Sequence, residues 1–170
     1  NYTGSVIKWL VENLRMISSS KESGVVAASV PDNGGVYLVP AFSGLGAPYW
    51  DSNARAVICG MNRDATSAHI VRAGEECIAY QIKDIVDLMC QEAKVALQEL
   101  NVDGGPTRDK FLMQFQADML GITLNVPAIE ELSGAGAAYA AGLAVGFFDK
   151  ERLFASKQAT KFTSAMEESQ

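Results

Sequence analysis

Apolar residues recur with a helical period in three segments of the chain. The i, i+3, i+4, i+7 spacing predicts amphipathic helices over Gly4–Ile17, Thr66–Leu100 and Pro106–Leu120. The second of these would be roughly 50 Å long, and Glu75 is an anomaly beside its apolar stripe. Gly121 is a good stop for the third helix.

Short apolar and β-prone segments between these helices predict strands over 36–39, 56–61 and 122–126. Small residues over 133–147 predict a further helix. Strands separated by helices of ten or more residues favour an α/β layered domain. We expect the domain to cover residues 1–155, with a short helix from Leu153 and then a loose tail over 156–170.

Composition excludes several classes of partner. The chain has 170 residues, of which 48% are apolar and 20% charged, and its net charge is -6. These values are typical of one soluble globular domain, and the acidic balance offers no basic stripe to a nucleic acid. No uninterrupted apolar run is long enough to span a bilayer, so we expect no membrane partner.

The cysteines indicate a cellular location, and the start of the chain indicates its relation to a larger protein. Cys59, Cys77 and Cys90 form no CxxC pair, which favours a reducing, cytoplasmic location. There is no initiator Met or signal peptide, and a helical pattern begins almost at residue 1, which suggests a piece of a larger protein. Removal of the remainder would expose apolar surface, so we expect a homo-oligomer.

The segment Val102-Asp103-Gly104-Gly105-Pro106 carries the best local signal for chemistry. An apolar strand ends in two glycines, and a proline then opens a helix whose first N–H groups favour an anion. This arrangement is typical of a phosphate or nucleotide cradle. A tight strand-to-helix turn without a ligand is the alternative interpretation.

Two other features have competing interpretations. The small-residue helix over 133–146 either packs closely on a neighbour or also uses its first turn as a wall of an adenine pocket. His69 has no Cys or second His at metal-ligand spacing, so it indicates packing or solvent exposure, and no metal site is predicted.

Three blocks together resemble the FGGY family of carbohydrate kinases, most of all its glycerol kinases. They are GVYLVPAFSGLGAPYWD over 35–51, VDGG with FLMQFQADMLG over 102–121, and GAGAAYAAGLAVGFF over 134–148. The resemblance runs from Gly4 to about Phe154. It implies an α/β, actin-like (ribonuclease-H-like) ATPase domain, here partial, with a mixed sheet and helices on both faces.

The resemblance also implies a reaction. Such kinases transfer the γ-phosphoryl group of ATP to a terminal hydroxyl, here of glycerol, with Mg²⁺ offsetting charge and an Asp accepting the proton. That Asp belongs to an upstream Asp-Gln pair, so no catalytic residue is expected here. The chain would be the nucleotide-binding half, inactive alone, and the intact protein would bind ATP or ADP and a small polyol.

The implied nucleotide-binding residues lie in two segments. They are Gly4, Lys8, Asp103, Gly104, Gly105 and Asp109. Lys8 stands where the family usually has Gln, and Asp109 where it usually has Asn. We therefore consider an ion pair between Lys8 and Asp109 at the site, against the alternative that both are solvated surface charges.

Other functions remain open at this point. The substrate could be another small sugar or sugar acid, such as xylulose, ribulose or gluconate. A non-catalytic actin-like module would bind ATP without transferring its phosphoryl group, and an interaction module could retain the fold with a dead nucleotide site.

Overall fold

The computed structural model describes residues 2–128, 132–149 and 159–166. The elements alternate between helices and short strands along the chain. In chain order they are α1 Gly4–Glu12, α2 Ser23–Ala27, β1 Tyr37–Val39, β2 Val57–Cys59, α3 Ser67–Ala93, β3 Glu99–Asn101, a 3₁₀ helix Gly105–Arg108, α4 Lys110–Leu120, β4 Thr123–Pro127, α5 Leu132–Ala144 and β5 Ala159–Phe162.

The strands form two small sheets. β3 pairs in parallel with β4, and β4 pairs antiparallel with β5, so the larger sheet is mixed. β1 and β2 form a separate antiparallel pair. This arrangement confirms the predicted α/β class with a mixed sheet.

The first half of α3 forms the centre of the core. Its residues 71–79 include a run that is almost fully buried, and the helix contacts α1, α2, α4 and β1. The largest fully buried apolar side chains come from several elements, which are Val6, Leu10, Val36, Val71, Ile78, Leu112 and Leu124. Burial of this apolar surface is the main stabilising contribution to the fold.

The long helix is shorter than its periodicity predicts. α3 ends at Ala93 because Lys94 adopts a left-handed conformation, with φ of 54°, and its N–H closes the last turn. Leu100 lies in β3 instead, where it pairs with Leu124. The periodicity reflects only the spacing of apolar residues. Leu100 has a position that suits a helical stripe and equally suits a strand that pairs with a distant segment.

Two other boundaries differ from expectation. α1 ends at Glu12 and not at Ile17, and Arg15 beyond it is left-handed with φ of 54°. The loose-tail interpretation is wrong for residues 159–162, because β5 pairs along its length with β4. The short helix expected from Leu153 lies outside the described residues.

The small-residue helix α5 is largely exposed. A Cβ built on Gly134 or Gly136 would meet no heavy atom within 4 Å, so no described segment lies backbone to backbone against α5 at these positions. Among the described helices, none combines the length and the apolar character that crossing a bilayer requires.

Substitution of Leu10 by Ala tests the proposed core. Leu10 has no exposed surface, so the change leaves a cavity at the contact between α1 and α3 and lowers the free energy of unfolding by about 2–5 kcal/mol. Urea denaturation measures the difference. Met89→Ala on the exposed side of α3 is the control and changes stability by less than about 0.5 kcal/mol. Equal effects of the two substitutions would contradict this core.

Candidate functional site

The starts of two helices meet at an open crevice of about 600 Å³. A Cβ on Gly4, the first residue of α1, would lie 3.6 Å from Cγ of Pro106 in the 3₁₀ helix. We call this hollow the crevice. Its wall consists of Gly4, Ile7, Ser20, Lys21, Ser23, Glu75, Gly105, Pro106, Arg108, Asp109 and Leu112.

Local hydrogen bonds shape the turn that carries Gly105. Val102 N–H donates to the carbonyl of Asn125 at 3.0 Å, which extends the parallel pairing of β3 with β4. The chain then turns at Gly104, whose φ of 97° favours glycine. Thr107 closes the turn, because its N–H and its hydroxyl both donate to the carbonyl of Gly104, at 3.0 and 2.7 Å.

The surface in front of Gly105 is open. A Cβ on this residue would meet no heavy atom within 4 Å, and Gly105 lies in the crevice wall. The first N–H groups of a helix have no partner within the helix, and the dipole there favours negative charge. In the 3₁₀ helix Pro106 has no N–H and Thr107 uses its N–H within the turn, so the N–H of Gly105 is the donor left at that start. The crevice therefore presents the N–H of Gly105 and the start of α1 at Gly4 to an anion.

Asp109 connects the crevice to the packing of α4. Its Oδ1 accepts hydrogen bonds from the N–H groups of Phe111 and Leu112, at 2.9 and 3.1 Å, and so caps the helix. The Ser23 hydroxyl lies 3.4 Å from its Oδ2. A Cβ on Gly24 would collide with the same carboxylate, so the small residues of α2 make room for Asp109.

Glu75 is a buried acid in the crevice wall without a hydrogen-bond partner. Its side chain is 1% exposed, and neither carboxylate oxygen has a partner among the described residues. Burial is the main cause that raises the pKa of Glu75 to about 7, and the negative charge of Asp109 is a smaller cause in the same direction. Ser23 has the opposite, smaller influence on this pKa, but its hydroxyl hydrogen is directed at the carbonyl of Ser20, at 2.8 Å.

The adjacent acid, Glu76, is satisfied in full. It is 3% exposed and accepts hydrogen bonds from Arg72 Nε at 2.7 Å, Asn33 Nδ2 at 2.8 Å and the Tyr80 hydroxyl at 3.2 Å. Buried carboxylates normally have such partners, because an unpaired one loses its hydration without compensation. The contrast identifies Glu75 as the exception that faces the crevice.

The structure brings three of the six predicted residues to the crevice. Gly4, Gly105 and Asp109 line it, whereas Asp103 and Gly104 belong to the preceding turn and are not in its wall. Lys8 is also outside the wall.

The predicted ion pair between Lys8 and Asp109 is wrong. Lys8 projects from α1, where its side chain is 68% exposed and pairs with Glu12 at 3.6 Å, one helical turn away. Asp109 instead uses its carboxylate to cap α4. Lys8 is thus a solvated surface charge, as the alternative interpretation expected. Asp109 is neither the partner of Lys8 nor a solvated surface charge, because it caps a helix.

Sequence reasoning missed several residues of the crevice wall. Lys21, Ser20 and Ser23 come from a polar stretch that carries no recognisable motif. Glu75 had a signal, since a charged residue interrupts the apolar stripe of a helix. Among the α5 residues that the structure describes, none lines the crevice, so the predicted adenine wall is not found there.

His69 has a local structural role. Its Nδ1 lies 3.1 Å from the N–H of Thr66 and 2.9 Å from the Thr66 hydroxyl, so the two residues form a capping box at the start of α3. In the described part of the chain, no group of three His, Cys, Asp or Glu side chains is placed to hold a metal ion.

The chain is similar in sequence to known carbohydrate kinases. Residues 1–145 match the family described as the FGGY family of carbohydrate kinases, C-terminal domain. The chain is 49% identical to glycerol kinase 2 of Thermotoga maritima over 154 residues, which cover 91% of this chain and 31% of that protein. The chain therefore spans about a third of the length of the curated relatives it matches.

Solved structures agree with the sequence comparison. The structure of Plasmodium falciparum glycerol kinase with ADP matches with a TM-score of 0.85 at 37% identity, over 98% of this chain and 33% of that one. A ligand-bound xylulose kinase from Lactobacillus acidophilus matches with a TM-score of 0.77 at 22% identity, over 95% and 33%. The second match concerns the fold alone.

Substitution of Glu75 by Gln tests the buried acid. Because the folded-state pKa of Glu75 is raised from about 4.5 to about 7, the native state holds its proton more tightly than the unfolded state. Stability is thus lost as pH rises between these values, by about 3 kcal/mol for a shift of this size. Gln cannot ionise, so E75Q lacks this loss and is the more stable protein at pH 8.

Urea denaturation of both proteins from pH 4 to pH 8 measures this difference. All other carboxylates titrate in both proteins, so the difference between the two curves isolates Glu75. If the free energies of unfolding of the two proteins change in parallel from pH 4 to pH 8, Glu75 is hydrated or paired in solution.

Asp109→Ala and Asp109→Asn separate the cap from the charge. Ala removes the acceptor and lowers the free energy of unfolding by about 1 kcal/mol, whereas Asn caps nearly as well and changes it by a few tenths. Asn also removes the charge that raises the pKa of Glu75, so the pH-dependent loss of stability becomes smaller. Equal destabilisation by both changes would contradict the cap.

Proposed function

Because the chain belongs to the C-terminal domain of the FGGY family of carbohydrate kinases, we propose that it forms the nucleotide-binding half of an ATP-dependent glycerol kinase. The intact protein would transfer the γ-phosphoryl group of ATP to a terminal hydroxyl of glycerol. A kinase for another small sugar or sugar acid is the alternative within the family.

The observation that carries this proposal is the convergence of Gly4 and Gly105 on one crevice. Both residues begin helices, and the open space before Gly105 would admit a ligand that a side chain would exclude. Main-chain N–H groups at the two helix starts would donate to phosphate oxygens. Lys21 and Arg108 add positive charge to the same wall.

Identity supports glycerol over the other substrates. The chain is 37% identical to a glycerol kinase of known structure and 22% identical to a xylulose kinase compared in the same way. Both cover nearly the whole chain, so the difference is not an effect of coverage. The substrate assignment rests on this similarity, because we assign none of these residues to the polyol.

The chain contributes binding and orientation more than chemistry. Mg²⁺ bound with ATP would offset negative charge on the phosphates, and the proton of the attacking hydroxyl would pass to an Asp that we place outside these residues. Asp109 is already used as a helix cap. The residues at Gly4 and Gly105 would hold the nucleotide in position, and we expect the chain alone to show no glycerol phosphorylation.

ADP binding by the 170-residue chain tests the proposal. Two-dimensional NMR titration suits the weak affinity, about millimolar, expected of half a site. ADP should shift the amide signals of Gly4 and Gly105. Gly105→Leu places a side chain in front of the turn, where its Cβ meets no other heavy atom within 4 Å, so binding should weaken more than about tenfold at an unchanged Tm.

Gly136→Leu provides the matched control. A Cβ there also meets no heavy atom within 4 Å, but Gly136 lies on α5, outside the crevice. This variant should bind ADP as the unmodified chain does. Equal binding by the Gly105 variant, or shifts confined to other regions, would overturn the crevice as the nucleotide site.

A further inference from the structure

The wall of the crevice contains two chemically different groups of residues. Gly4 and Gly105 present helix starts, which favour anions. Glu75 and Asp109 present carboxylates that lie near the same hydroxyl, that of Ser23. A phosphate is attracted by the first group and repelled by the second, so a bound nucleotide has a preferred orientation.

The acceptors of Glu75 have no partner within the described protein. Both oxygens are buried, and neither accepts a hydrogen bond from a described residue. Asp109 only accepts hydrogen bonds when ionised, and Ser23 directs its hydroxyl hydrogen at the carbonyl of Ser20. A donor that enters the crevice and reaches Glu75 would offset part of its desolvation penalty.

A nucleotide carries its hydrogen-bond donors on the nucleoside. The phosphate oxygens accept hydrogen bonds, whereas the base amino group and the ribose hydroxyls donate them. Building on the proposed function, we infer that Glu75 accepts a hydrogen bond from a nucleoside donor and is a specificity-determining residue of the crevice. The phosphates would then lie at Gly4 and Gly105.

Glu76 strengthens this argument. It lies on the same helix, is buried to a similar degree, and receives three hydrogen bonds from Arg72, Asn33 and Tyr80. The fold therefore supplies partners to a carboxylate that serves packing. Glu75 faces the crevice and lacks them, as expected of an acceptor whose partner arrives with the ligand.

Removal of single donors from the ligand tests the inference on the 170-residue chain. The probes are ADP, purine riboside 5′-diphosphate, which lacks the base amino group, and 2′-deoxy-ADP and 3′-deoxy-ADP, which each lack one ribose hydroxyl. NMR titration measures each affinity for the unmodified chain and for the Glu75→Gln and Glu75→Leu variants. Gln keeps an acceptor oxygen, and Leu removes it.

We expect one probe to bind the unmodified chain about tenfold more weakly than ADP, because its hydrogen bond to the buried Glu75 side chain is lost. That probe identifies the donor as the base amino group or a hydroxyl. The quantity to compare is the ratio of the affinity for ADP to the affinity for that probe. This ratio should fall to about one in Glu75→Leu, and most of the difference should remain in Glu75→Gln. A purely structural role for Glu75 would change all affinities together and leave the ratio unaltered.

Two other outcomes would overturn the inference, and they are distinguishable. If ADP binds in a Gly105-dependent manner but the ratios are the same in all three proteins, the inference is wrong and the proposed function stands. If no nucleotide binds the unmodified chain at all, the proposed function and the inference fail together.

Discussion

The close approach of α1 to α3 is the contact on which the rest of the structure depends. A Cβ on Gly74 would lie 2.7 Å from Leu10 Cδ1, so glycine allows the two helices to lie this close. α2 and α4 pack against α3 as well. Because one helix supports all three neighbours, the start of α1 and the turn before α4 are fixed relative to each other, and Gly4 lies beside the Gly105 turn.

The same part of α3 carries two buried acids with different surroundings. Glu76 is buried, accepts from Arg72 one turn earlier in α3 and joins α3 to Asn33, whereas Glu75, one residue earlier, is buried without a partner among the described residues. Consecutive helix residues point about 100° apart, so one faces the β1 side and the other the crevice. Unsatisfied polar groups reduce stability, and proteins retain them mainly at functional sites.

The sequence was informative where a local pattern determines local structure. Gly121 ends α4 with φ of 66°, and the double glycine before Pro106 forms the predicted turn, while the family blocks implied the α/β fold of actin-like ATPases, which the comparisons confirm.

Pairing between distant segments was not predictable in this way. β5 becomes a strand only because β4 offers it an edge, and nothing in its own residues signals that partner. The Lys8–Asp109 pair failed for a similar reason, since each side chain found a nearer partner within its own helix.

Without an ion pair between Lys8 and Asp109, the negative charge of Asp109 at the crevice is not balanced by Lys8. An Asp in place of a family Asn keeps the cap of α4, because both side chains accept hydrogen bonds from helix N–H groups. It also adds a negative charge beside Glu75, and Lys8, which pairs with Glu12 on the exposed side of α1, does not offset it. The favourable field for phosphate must then come from the helix starts and from Lys21 and Arg108. The proposed nucleotide binding would therefore depend on keeping the phosphates away from Glu75 and Asp109, a constraint that a neutral Asn would relax.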